Sequence, residues 1–71
     1  MAEDVRAEIV ASVLEVVVSA GDQIGVGDTL VLLESMKMEI PVESEDDGVV
    51  KEILCEEGQS VTEGDVLIVL E

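Results

Sequence analysis

Histidine, phenylalanine, tyrosine and tryptophan are absent from this 71-residue chain, which carries a single cysteine and a single proline. Without histidine, no Ser-His or Cys-His pair can form, and the commonest general base near neutral pH is missing. One cysteine allows no intrachain disulfide and cannot build a zinc cage. The missing aromatics leave an aliphatic core of Val, Ile, Leu and a few Met. Carboxylate pairs remain as catalytic inventory, but so short a chain has little room for a substrate-engulfing pocket. An autonomous enzyme is not expected.

Positive charge is scarce as well. Arg6, Lys37 and Lys51 stand against 18 acidic residues, for a net charge of −15. A field of that sign repels phosphate backbones and anionic lipids, so neither nucleic acid nor a membrane surface is an expected partner. The first residues, Met-Ala-Glu-Asp-Val, lack the basic and apolar regions of a signal peptide. The longest fully apolar run, Val66 to Leu70, is too short to span a bilayer. These features predict a soluble, cytoplasmic monomer, with residues 1–71 forming one domain.

What the chain does contain is a repeat. Shifted by 37 residues, Val16–Glu34 (VVVSAGDQIGVGDTLVLLE) aligns without a gap on Ile53–Glu71 (ILCEEGQSVTEGDVLIVLE). Gly21 matches Gly58, Gly27 matches Gly64, Asp28 matches Asp65, and Leu30, Leu33 and Glu34 match Leu67, Leu70 and Glu71. Val, Ile and Leu dominate each half, punctuated by Gly-Asp pairs, and no stretch holds a helical period. The pattern predicts strands over 6–10, 13–18, 23–24 and 29–35, then 38–42, 49–54, 60–61 and 66–70. Glycines 21, 27, 48, 58 and 64 are expected in turns, where positive φ costs them little. Pro41 points to an edge strand or a strand end. The halves are expected to pack face to face about a pseudo-twofold axis as a flattened all-β sandwich. The unalternating runs Leu30–Leu33 and Val66–Leu70 imply strands covered in part on both faces.

Lys37 lies at the joint of the repeat, and its repeat-mate would be position 74, past the last residue. The twofold therefore sets the chain ends opposite the lysine. Between the strands ending at Ser35 and starting at Met38 lie only Met36 and Lys37. Two-residue hairpin loops favour Asn-Gly or Asp-Gly, because their backbone needs positive φ. Met-Lys breaks that rule in a chain that otherwise uses glycine freely, and local rules tend to be broken at functional sites.

Glu34-Ser35-Met36-Lys37-Met38-Glu39 resembles the attachment motif of biotinyl domains, usually Glu-Ala-Met-Lys-Met. The resemblance runs from about Ile9 to Glu71 and is strongest to free-standing biotin carriers of the biotin/lipoyl attachment type. It implies a barrel-sandwich hybrid of two four-stranded antiparallel sheets. It also implies that Lys37 takes covalent biotin, with Met36, Met38 and Glu34 recognised by a biotin protein ligase. The biotin would then carry carboxyl groups from a biotin carboxylase to a carboxyltransferase, the chain itself being a mobile substrate. Ser35 replaces the usual alanine, Ala11 stands where the second half has Gly48, and the gapless repeat leaves no room for the thumb loop of some bacterial carriers. Lipoylation of the same lysine, or an unmodified adaptor role, are the rival readings; Met-Lys-Met in place of Asp-Lys-Ala disfavours lipoate alone. Lys51 is expected to be a solvent-facing strand residue, Arg6 a solubilising charge, Cys55 a small buried apolar residue, and Glu43–Asp47 a solvated loop. The cluster of His, Cys and carboxylates that a resident metal would need is not foreseen.

Overall fold

The computed structural model describes residues 3–71, all of it strand and turn. Eight strands follow one another: β1 (Glu3–Arg6), β2 (Ala11–Val16), β3 (Gln23–Ile24), β4 (Thr29–Ser35), β5 (Met38–Glu43), β6 (Gly48–Ile53), β7 (Ser60–Val61) and β8 (Val66–Leu70). They form two four-stranded sheets, ordered β1-β8-β6-β3 and β5-β4-β2-β7, with antiparallel neighbours throughout. The expected all-β barrel-sandwich hybrid is therefore present.

The 37-residue repeat reappears in three dimensions. It carries β1 to β5, β2 to β6, β3 to β7 and β4 to β8, and so exchanges the two sheets strand for strand. Each sheet draws two strands from each half, so the halves are interlaced rather than stacked as separate layers, and neither can close a core alone. Even the loop bonds are paired. The Ala7 N–H donates to the Asp65 carbonyl at 2.9 Å, and the Ser44 N–H to the Asp28 carbonyl at 2.9 Å. Asp28 and Asp65 each accept a backbone N–H three residues upstream, from Gly25 at 2.8 Å and Thr62 at 2.9 Å. Gly21, Gly27, Gly58 and Gly64 all have φ between 85° and 96°, as their turns require.

The core is built from repeat-mates: Val13 and Val50, Ile24 and Val61, Leu30 and Leu67, Val31 and Ile68, and Leu33 and Leu70 are all buried in one cluster. The runs that fail to alternate have a specific cause. A register shift between Thr29 and Val31 makes Leu30 a bulge residue, and its mate Leu67 is skipped opposite Val5 and Arg6. The bulge resets the side-chain phase, so Leu30 and Val31, and likewise Leu67 and Ile68, turn inward consecutively.

Three expectations need correction. The first strand lies at Glu3–Arg6, not 6–10. Ala7 is buried in the following turn, while Ile9 and Val10 are exposed in the loop. The second strand starts at Ala11, two residues early, and Gly48 opens β6 without positive φ rather than sitting in a turn. A Cβ there would lie 3.2 Å from the Glu71 carbonyl oxygen, so close backbone approach accounts for the glycine.

Candidate functional site

The hairpin joining β4 to β5 pairs Ser35 with Met38, leaving Met36 and Lys37 as its two loop residues. Their φ values are 53° and 66°. Positive φ at both central positions is the type I′ turn, whose twist matches the flanking strands. Among the described residues these are the only non-glycines with positive φ. The loop that sequence chemistry marked as irregular is thus the place where the backbone carries strain, at about 1–2 kcal/mol per residue.

All three residues of the motif face solvent. Met36 is 90% exposed and Met38 62% exposed, and Lys37 is exposed as well. The Arg6–Asp4 contact at 3.1 Å is the sole ion pair among the described residues, so Lys37 is held by no carboxylate. Two exposed thioethers flank an exposed amine on a stiff two-residue turn.

The hairpin stands at one end of the molecule. At the start of β4, the Val26 N–H donates to Asp47 Oδ1 at 3.1 Å, and Ser44 bonds back to Asp28. The same end holds Glu71, bonded to Val49 beside Asp47 and Gly48, and Glu3 is paired with Leu70. Strand β4 then runs seven residues away to the turn, about 23 Å at the usual rise. The lysine therefore lies at the pole opposite Glu3 and Glu71, in keeping with the repeat.

Glu34 is exposed and sits two rows from the turn, directly opposite Glu39. Sequence reasoning missed Glu39, although a two-residue loop at 36–37 fixes that pairing by counting. Like charges directly opposite each other are unfavourable. Lys51 lies exposed on β6, in the other sheet. Arg6 does more than add charge: its Nη1 donates to the Gly64 carbonyl at 2.7 Å and Nη2 to Asp4 Oδ2 at 3.1 Å, tying β1 to the turn before β8. Cys55 is buried, and that burial pushes its thiol above the ordinary value, away from nucleophilic chemistry. The Glu43–Asp47 segment is more than a solvated loop. Ser44 is buried there, with its hydroxyl donating to the Asp46 carbonyl. Hydrogen bonding to the Asp46 carboxyl, with some desolvation and the charges of Asp46 and Glu45, raises Glu3 above the usual carboxylate value.

Residues 3–70 match the family model described as "Biotin-requiring enzyme" for biotin/lipoyl domains. The chain belongs to the biotin/lipoyl attachment family. As a family member it is 64% identical over 70 residues to the "Biotinylated protein TB7.3 homolog" of Mycobacterium leprae, covering 99% of both chains. It is 47% identical over 66 residues to the "Biotin/lipoyl attachment protein" of Bacillus subtilis, covering 93% of this chain and 90% of that one. Among solved structures, a single-chain, multi-domain long-chain acyl-CoA carboxylase superposes with a TM-score of 0.92 at 33% identity. The Kluyveromyces lactis urea carboxylase superposes with a TM-score of 0.94 at 31% identity. This biotin/lipoyl domain spans only 7% and 6% of those two chains. Family membership and fold together make it a biotinyl attachment domain that resembles the domains within these two carboxylase chains.

Proposed function

We propose that Lys37 is the biotin attachment site, and that the chain is a carboxyl carrier acting between a biotin carboxylase and a carboxyltransferase. One observation carries this reading: the exposed Met36-Lys37 turn, in which both residues hold positive φ without being glycine. An unmodified adaptor has no need of that strain, and Asn-Gly would build the same turn at lower cost. A rigid turn presents the lysine at a defined place for a ligase to find.

In the attachment step, Lys37 Nζ attacks the acyl carbon of biotinyl-adenylate. An amide bond forms, the mixed-anhydride bond breaks, AMP leaves with the electron pair, and the amine proton passes to a base. Lysine amines are mostly protonated at neutral pH and this chain has no histidine, so that base belongs to the ligase. Met36 and Met38 offer the ligase soft, adaptable apolar contacts, and Glu34 offers it a carboxylate. Once attached, biotin supplies a ureido nitrogen that accepts and gives up a carboxyl group. The chain's own part is to hold the arm at one pole, so that tethering raises the local concentration of the reactive ring at each enzyme.

Intact-mass measurement tests the assignment. Incubation with biotin protein ligase, biotin and ATP should add one biotinyl group to the wild type and to Lys51→Arg, and none to Lys37→Arg. Biotin retained in Lys37→Arg would refute the site. A lipoyl adduct on Lys37 in cells is the second reading, favoured by likeness to the Bacillus subtilis protein, whose name covers both groups. The two adducts differ in mass.

A further inference from the structure

The pseudo-twofold provides an internal control, because each sheet shows what the other would look like without a modified lysine. Sheet β5-β4-β2-β7 carries two outward rows next to the hairpin, Ser12–Glu34–Glu39 and Glu15–Leu32–Pro41. The inward rows between and below them are Val13–Leu33–Ile40 and Val16–Val31–Val42. Leu14, the bulge residue between Val13 and Glu15, is exposed as well. The repeat-mates of Glu15, Leu32 and Pro41 are Glu52, Val69 and Asp4, aligned across β6-β8-β1. The mate of Leu14 is Lys51. Leu14, Leu32 and Pro41 thus form an apolar strip on the lysine-bearing sheet, whereas its twin carries Lys51, Val69 and Asp4. The exposure of Val17 and Leu54 is different in kind, since these two are mates of each other and share it.

Charge differs at fewer positions, since Glu15 and Glu34 have carboxylate mates in Glu52 and Glu71, and the contrast lies in Lys51, in Glu39 and in the Asp4–Arg6 pair. On the twin face Asp4 is paired with Arg6. On the lysine-bearing face Glu15, Glu34 and Glu39 have no ion-pair partner among the described residues, and Glu34 faces Glu39 directly. A carboxylate rim that repels itself surrounds an apolar strip that water does not favour. Both costs are relieved by a surface with an apolar centre and guanidinium or ammonium groups at its edge.

Position selects the partner. The inner side of the β4–β5 hairpin is core, so an enzyme gripping the hairpin broadside meets this outer face. The Leu32–Pro41 row lies three residues below the Ser35–Met38 row, about 10 Å away at the usual rise. An ordinary interface of ~800 Å² per partner is roughly 30 Å across and covers both. An enzyme that takes in bare Lys37 must come close, because the lysine stem is only four carbons long. Enzymes that meet the finished arm can stand farther off. We infer that the outer face of β2, β4 and β5, with Leu14, Leu32 and Pro41 inside a rim of Glu15, Glu34 and Glu39, docks a basic-rimmed apolar surface of the ligase that modifies Lys37. This deepens the carrier reading and rests on it.

The decisive variant borrows from the chain itself. Leu14→Lys, Leu32→Val and Pro41→Asp together install the residues that the repeat already tolerates at equivalent sites. Initial rates of biotin incorporation would be measured against carrier concentration with purified ligase, biotin and ATP. The triple variant should raise KM for the carrier at least tenfold with little change in kcat. Lys51→Leu/Val69→Leu on the twin face should leave KM unchanged. The wild-type KM should climb with salt, and less steeply in Glu15→Gln/Glu39→Gln. An unchanged KM in a folded triple variant, an equal rise in the twin-face control, or a salt-independent KM would overturn the docking face while leaving Lys37 as the site. No incorporation into the wild type would overturn the carrier reading, and this inference with it.

Discussion

At the scale of single residues, the turn at Met36 and Lys37 stores conformational cost that the other described residues avoid. Both hold positive φ without being glycine, at about 1–2 kcal/mol each. Installing an Asn-Gly turn through Met36→Asn/Lys37→Gly should relieve that cost, less the ~0.5–1 kcal/mol that glycine returns to the unfolded chain. The expected gain is ~1–3 kcal/mol in urea denaturation, with a Tm several degrees higher. A loss of stability would show that the turn is not strained. Much at this scale was legible in the sequence. Met-Lys where Asn-Gly belongs is a chemical anomaly visible without coordinates, and so is a core that must be aliphatic. Glu39 was equally within reach through hairpin counting. Arg6 was not, because its bond to the Gly64 carbonyl joins residues 58 apart in the chain.

At the scale of strands, the repeat told more than local pattern did. Strands β3, β4, β7 and β8 lie where alternation and Gly-Asp turns put them, because each is bounded by a glycine turn or by the short hairpin. Local pattern misplaces the first strand, since Ala7, Ile9 and Val10 look apolar while Glu3–Arg6 looks like a charged tail. Its repeat-mate β5 would have corrected this, for shifting β5 back by 37 residues lands on the observed β1. Pairing with β8 outweighs local polarity at an edge. Bulges were invisible because they arise from pairing register. They account for the inward turn of Leu30 and Leu67, both fully buried mates. Leu30→Ala and Leu67→Ala should each cost ~2–5 kcal/mol, and the two costs should agree within about 1 kcal/mol when compared by urea melts. A wide difference would mean that the pseudo-twofold is geometric but not energetic.

At the scale of the whole molecule, charge dominates. A net charge of −15 on 71 residues makes the compact state repel itself. The raised Glu3 carboxyl, crowded by Asp46 and Glu45, is the local expression of that repulsion. Because the folded chain holds this proton more tightly than the unfolded chain, the associated stability is complete below the ordinary value of 4.5 and is lost as pH rises through the higher folded value. Thermal melts should therefore show Tm rising with added NaCl, and rising again as pH falls from neutral toward the ordinary value of 4.5. Glu3→Gln should raise Tm near neutral pH and flatten part of that pH response. A Tm indifferent to salt would contradict the account. Charge and the repeat made the overall class readable from the sequence. The interlacing of the halves was not, since the repeat alone does not say which sheet a strand joins.

The break in the twofold invites one piece of protein engineering. Glu3 is already seated beside Leu70, so the chain could be closed into a ring. Three residues, Ser-Met-Lys, inserted between Glu71 and Met1 would complete two equal arcs of 37, with Met1 falling on the position equivalent to Met38. Such a macrocycle would display a Met-Lys-Met turn at each apex, a two-headed molecule made from a single fold.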